Sequence, residues 1–246
     1  MRRGLLITVL AVLAFVVIVI ARLPANWVIP ASAPCGAVDG SIWNGTCTGL
    51  VVQGSPMGDL EWDAHAWRLL TGKLAANLVL TRPNGSISGD FLIGFDKSIT
   101  AHDLKADLPL DKDLLAALPP GLRTLSGTLH ADLTLLKMTK NNIVTDCQGT
   151  LEIHDLADHD RGDLTRFGSY QLSFPGGTTP PAGQLKDLGG PLGAEGSVVF
   201  LQDKPGFNLD IFMTLRPDAA PELVNNLQYL APDAQGRREL QTEFGF

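Results

Sequence analysis

Gly40-Ser41-Ile42-Trp43-Asn44-Gly45-Thr46-Cys47-Thr48-Gly49-Leu50 is the stretch on which the fold turns. A small residue opens an alternating apolar/polar run, and a polar turn closes it. Related units recur at Gly85-Ser86-Ile87-Ser88-Gly89, Ser126-Gly127-Thr128-Leu129, Gly149-Thr150-Leu151-Glu152-Ile153 and Gly196-Ser197-Val198-Val199-Phe200. Alternation with period two puts successive side chains on opposite faces of a strand. Serial antiparallel strands follow, with one face packed and one wet. None of these units carries chemistry, which leans away from an enzyme.

The same alternation runs through Leu60–His65, Leu74–Leu80, Ile87–Phe95, Ile99–Leu108, Leu125–Leu135, Ile143–Ile153, Gly168–Phe174, Phe207–Leu215 and a final edge segment, Glu239–Phe246. Asn44-Gly45 gives a turn or bulge signal, and Arg82-Pro83-Asn84-Gly85 and Pro205-Gly206 give turns. Asp155–Asp163 and Thr178–Pro181 read as loops, and Leu188-Gly189-Gly190-Pro191-Leu192 as a tight turn. Helical signals are few. Trp67–Gly72 is one turn closed by a glycine, Asp111–Leu118 is short, and Leu223, Leu227 and Leu230 form a stripe after an N-cap at Asp218 and Pro221. About ten strands against these accessories predict an all-β, mostly antiparallel fold: one continuous, curved sheet of serial hairpins.

Ahead of the sheet, Met1-Arg2-Arg3-Gly4 leads into an apolar run from Leu5 to Ala21. Its length is at the short end for a bilayer-spanning helix. Arg2 and Arg3 keep the N-terminus cytoplasmic, and Trp27 suits the outer interface. A cleaved signal peptide competes, but Ala31-Ser32-Ala33 lies too far past the apolar core for ordinary processing. The expected organisation is a transmembrane anchor over 1–22, a Pro-rich tether over 23–37 (Pro24, Pro30, Pro34) and a β-rich domain over 38–246, beyond the inner membrane.

The chain has 246 residues, 19 Lys+Arg and 26 Asp+Glu, for a formal charge of -7. That balance argues against nucleic acid, because phosphate neutralisation needs Lys and Arg. Of the three cysteines, Cys35 and Cys47 flank a hairpin, and an oxidising compartment permits a bridge between them; three reduced, buried thiols are the alternative. Catalytic signals are absent: there is no Gly-x-Ser-x-Gly elbow, phosphate loop or zinc pair. His154 and His159 with Asp155, Asp158 and Asp160 form a dense cluster, best read as a solvated loop. No metal, cofactor or catalytic residue is expected. Trp43, Trp62 and Trp67 either fill core or offer an apolar docking face to a partner or a lipid chain.

Several blocks together resemble a known family, the type II secretion system protein N. They are Ala21–Val28 after the apolar run, Gly40–Thr46, Leu60-Glu61-Trp62, Leu69-Leu70-Thr71-Gly72, Leu188–Leu192, Leu215-Arg216-Pro217 and Asp233–Arg238. Cys35 and Cys47 lie outside that pattern. The resemblance implies an accessory, non-enzymatic inner-membrane subunit of the Gram-negative general secretory machinery, which exports folded proteins through an outer-membrane secretin. It also implies, as partners, other inner-membrane subunits and the secretin. In architecture alone, the serial strands look like the half-barrel, groove-forming sheets of AsmA-like and related bridge proteins that hold lipid. A periplasmic lipid-binding or lipid-transfer module with an apolar groove is therefore the alternative function.

Overall fold

A computed structural model describes Val12, Phe15 and residues 18–29, 33–52, 54–115, 123–159 and 164–245. Thirteen strands follow the chain: β1 (Ala37–Gly40), β2 (Asn44–Val52), β3 (Ser55–Ala64), β4 (Lys73–Arg82), β5 (Gly85–Gly94), β6 (Ile99–Pro109), β7 (Leu125–Met138), β8 (Val144–Asp158), β9 (Thr165–Pro175), β10 (Ala182–Gly189), β11 (Leu192–Phe200), β12 (Gly206–Leu215) and β13 (Arg238–Gly245). They form one sheet in chain order, each antiparallel to the next. The helical pieces are short: α1 (Ala25–Val28), a 3-10 turn (Ala66–Thr71), α2 (Lys112–Leu115) and α3 (Pro221–Leu227).

Register shows how the sequence builds this sheet. Directly paired residues lie on one face. Following the pairs across all thirteen strands gives one row: Val38, Cys47, Leu60, Leu80, Ile87, Ala106, Ala131, Leu151, Leu172, Leu185, Gly196, Ile211 and Leu240. Every member is apolar or glycine. The neighbouring row, on the other face, runs Asp39, Thr46, Glu61, Val79, Ser88, Lys105, Asp132, Thr150, Ser173, Gln184, Ser197, Asp210 and Gln241. Only Val79 breaks its polarity. A slip of one residue would turn a whole strand inside out, so this pattern specifies register strongly.

The dry face is concave. Gln202, just past β11, donates from Nε2 to the Val144 carbonyl at the start of β8 at 3.1 Å. Three strand spacings separate β8 from β11, about 14 Å in a flat sheet, so the sheet must curl to bring them together. Phe174 of β9 stacks on Phe200 of β11 across β10, with ring centroids 5.6 Å apart. Gly183 of β10 lets the ring pass, since a Cβ there would sit 2.6 Å from Phe174 Cε1. One apolar cluster gathers Leu133, Val144, Cys147 and Phe174 at this curl. A second gathers Leu192, Ala194 and Met213 under Leu223 of α3, with Leu227 and Leu230 beside it. Each such fully buried aliphatic side chain contributes about 1.5–3 kcal/mol.

Several sequence expectations need correction. The sheet has thirteen strands rather than about ten; β10 occupies a stretch left unassigned between Pro181 and Leu188. The first turn spans Ser41–Trp43, and Asn44-Gly45 opens β2 instead of forming the turn. Gly45 is there for packing: a Cβ would lie 2.5 Å from Trp62 Cζ2. Asp155–Asp158 belong to β8, which bulges there, with Asp155 at φ 54°. Residues 160–163 of that proposed loop lie outside the described residues. So do 116–118 of the expected Asp111–Leu118 helix, whose described part is α2. Ala220 rather than Asp218 occupies the N-cap of α3, with Pro221 following it.

Most of the Leu5–Ala21 run also lies outside the described residues; residues 18–21 are helical. Among the described residues, no helix is long and apolar enough to cross a membrane.

Candidate functional site: an unroofed apolar face and a free sheet edge

The two ends of the sheet differ. At one end lie the β1–β2 turn, the 3-10 turn joining β3 to β4, and the β5–β6 turn; here this is the tether end. At the other end lie α2, α3 and the β6–β7 and β12–β13 connections, the helix end. Helical cover comes from the helix end. Leu115 of α2 is buried near β3, and Leu223 of α3 near β11 and β12. Over β3–β6, the dry-row residues Leu60, Leu80, Ile87 and Ala106 are only half-buried. Leu74 and Ile93, on the same face toward the tether end, are exposed.

Among the described residues, a single charge is enclosed on this part of the dry face. Arg82 ends β4 with its side chain buried, and its Nη2 donates to both carboxylate oxygens of Asp111, at 3.2 and 3.0 Å. Asp111 also accepts from the Leu114 amide at 2.9 Å, which caps α2. The ion pair thus pins α2 over the helix end of the trough and neutralises the guanidinium.

The tryptophans occupy three different settings. Trp62 lies on the dry face, its ring over Gly45. Trp43 stands in the β1–β2 turn and donates from Nε1 to the Ile20 carbonyl at 2.9 Å. Trp67 is exposed on the 3-10 turn, with the Arg68 guanidinium 4.8 Å from its ring centroid. Two further links join tether and sheet: Ile42 donates its amide to the Leu23 carbonyl at 3.1 Å, and Pro24 bridges to Ser41. Cys35 and Cys47 are joined by a disulfide. Cys147 is buried and unbridged; burial first, then the Asp146 charge, pushes its thiol up to about 11. So little thiolate exists near neutrality that it packs as a small hydrophobe.

The wet face carries the polar side chains. His154 Nε2 lies 3.0 Å from Glu152 Oε2, and His130 Nδ1 lies 3.4 Å from Asp107 Oδ1. Gln171 first, then His154, hydrogen-bonds Glu152 and holds its carboxyl below the usual range. His159 faces Ser126 instead, Nε2 to Oγ 2.9 Å, so the structure does not bring His154 and His159 together. Among the described residues, no three His, Cys, Asp or Glu side chains are placed to hold a metal ion.

Both edge strands pair on one side only, but they are not equal. β1 has four residues, and Pro24 bridges to Ser41 at its end. β13 has eight, and Pro232 bridges only its first residue, Arg238. From Glu239 to Gly245 its outer backbone groups have no strand partner among the described residues. Such an edge is a template for another strand. Sequence reasoning placed this strand at an edge, and the structure agrees; its register with β12 comes from the structure alone.

The family described as Type II secretion system (T2SS), protein N matches residues 34–241, which takes in β1 to β12 and the first half of β13. A similar protein is the Type II secretion system protein N of Vibrio cholerae serotype O1, 30% identical over 114 residues. That match covers 40% of this chain and 45% of the relative, so the chain spans under half the relative's length. No solved structure matches. With a family match over residues 34–241, the chain belongs to the type II secretion system protein N family.

Proposed function

We propose that this chain is an accessory subunit of the type II secretion machinery, acting by protein–protein contact and without catalysis. Residues 1–22 anchor it once in the inner membrane with the N-terminus cytoplasmic, residues 23–37 tether it, and residues 38–246 work in the periplasm. The observation that carries this reading is the outer edge of β13. A strand from another inner-membrane subunit, or from the periplasmic part of the secretin, adds there by main-chain pairing, and alternate side chains supply specificity.

Adjacent residues of an edge strand point their amides alternately inward and outward. Of Gln241→Pro and Thr242→Pro, one therefore removes an outward amide and leaves the β12 ladder intact. That variant should melt like the parent. It should also fail to co-purify with the other inner-membrane subunits or the secretin in mild detergent, and secretion should drop with it. Parental secretion by a folded edge variant would sink the reading.

One observation favours a second function, lipid binding or transfer. The dry row over β3–β6 has no second layer among the described residues. Three strand spacings span about 14 Å, close to the roughly 15 Å depth of one bilayer leaflet. On this reading native mass spectrometry of the full chain finds co-purified acyl lipid, and Leu80→Asp with Ile87→Asp removes it. A lipid-free parent rules it out.

A further inference from the structure

We infer that the tether end of the sheet is a membrane-contact rim that rests on an anionic lipid surface. The inference builds on the proposed anchor. Exposed apolar side chains collect at this rim. Phe95, in the β5–β6 turn, is 85% exposed; Trp27 of α1 is 77% exposed and Trp67 of the 3-10 turn 59%. Each belongs to a different segment, yet all three segments lie at the tether end. Phe95 is not a loose side chain. Its ring packs on Gly72, where a Cβ would come within 2.8 Å of Phe95 Cε2. A large ring held in place and left in solvent marks a surface that is covered in use.

Charge selects the occupant. The whole chain carries a formal charge of -7. Residues 18–29, 39–44, 63–73 and 95–98, which build the tether end of β1–β6, hold Arg22, Arg68, Lys73 and Lys97 against Asp39, Asp63 and Asp96, a local excess of one positive charge in a chain that is acidic as a whole. Asp96 is already engaged by Ser98, whose hydroxyl donates to it at 2.6 Å and whose amide does so at 3.0 Å. Basic side chains interleaved with Trp and Phe match a bilayer interface, where indoles are favoured and anionic headgroups attract Lys and Arg.

Position makes the same choice. The apolar N-terminal run ends at this rim and nowhere else on the sheet. Trp43 donates to the Ile20 carbonyl, Ile42 to the Leu23 carbonyl, and Pro24 bridges to Ser41. These links allow little free tether between the end of the run and the first hairpin. A bilayer holding that run would therefore lie against the tether-end turns. The open trough over β3–β6 would then face the membrane at its uncovered end, with α2 and α3 at the far end. Among the described residues, the helix end carries no comparable basic-aromatic set near β2 and β3; its exposed Val51 and Val52 lie beside Ser55 and Pro56.

The test uses the full chain in lipid nanodiscs. An environment-sensitive label is attached at Phe95→Cys on the rim and, separately, at Val52→Cys at the opposite end. The discs are made either of phosphatidylcholine alone or of equal phosphatidylglycerol and phosphatidylcholine, each with a nitroxide-bearing lipid as quencher. The label at 95 should be quenched strongly in the anionic discs and the label at 52 hardly at all. Each basic residue near an anionic surface is worth about a fivefold factor in affinity. Lys73→Glu with Lys97→Glu should therefore reduce the quenching at 95 several-fold without detaching the protein from the disc. Equal quenching at 95 and 52 overturns the rim, and equal quenching at 95 in both disc types overturns its preference for anionic lipid. Failure of the anchor reads differently, because the protein would then not elute with the discs at all.

Discussion

Phe174→Ala should destabilise the protein by about 3–5 kcal/mol, the usual cost of emptying a fully buried aromatic site. The melting temperature should fall by about 10 °C for a chain of this size. The reason is its place in the curl. Phe174 is 3% exposed and stacks on Phe200 from two strands away, passing over Gly183. Removing the ring takes away both its burial and the contact that bends β9 toward β11. Gly183→Ala probes the same contact from the other side, because its Cβ would press into the ring, and it should also destabilise. Ser173→Ala, one residue away on the wet face, should stay within about 0.5 kcal/mol of the parent. Chemical denaturation of the three variants decides the matter. If Phe174→Ala unfolds at the parental midpoint, the curl is held by something else.

The second large effect belongs to the first hairpin. The Cys35–Cys47 bridge has a sequence separation of 12. In the chain-entropy model a loop of that size is worth about 3 kcal/mol. β1 has little else to hold it: four residues, one paired side, and flanking backbone bonds from Gly36 to Thr48 at 2.9 Å and from Val51 to Pro34 at 2.7 Å. Cys35→Ser should therefore lower the melting temperature by several degrees, and reductant should do the same to the parent while leaving the variant unchanged. β1 should fray first, so its amides should exchange with solvent faster than those of β7 and β8. Identical melts of the parent with and without reductant would show that the bridge does not secure the hairpin.

Much of this could be read from the chain because period two is a local property. Leu125–Leu133 alternates and became part of β7, but a register shift between Leu133 and Leu135 turns Leu135 away and brings Leu136 to the core; the final edge segment became β13. Misreadings arose where a residue type has two uses. Asn44-Gly45 looks like a turn because glycine tolerates unusual backbone angles. Here Gly45 leaves room for Trp62, which pairs with it across β2 and β3. β10 was missed because Gly183 interrupts its apolar face and Pro180 and Pro181 precede it, and the glycine exists only to admit the Phe174 ring. The acids from Asp155 to Asp158 look like solvated loop, yet β7 and β9 pair with that segment on both sides and carry it through a bulge. None of these partners is near in sequence.

The functional surface divides in the same way. Trp43, Trp62 and Trp67 were visible as a group, but they serve a tether, a concave face and an exposed rim. Phe95, Lys73 and Lys97 carry no signal of their own; each looks like an ordinary turn or strand-end residue until the 3-10 turn and the β5–β6 turn are placed side by side.

From its residues alone the chain sets which face of most strands is dry, because alternation assigns side chains before any strand is paired; the bulges, such as that between Leu133 and Leu135, reset it. It also sets antiparallel order over most of the sheet, because short turns join most successive strands. Tertiary structure alone decides that the sheet stays open, that it curls between β8 and β11, and that helices roof one end while apolar rings crowd the other. Those outcomes depend on contacts between groups tens of residues apart, such as the Gln202 side chain with the Val144 backbone carbonyl. Such contacts have no period along the chain and exist only once thirteen strands have taken their register.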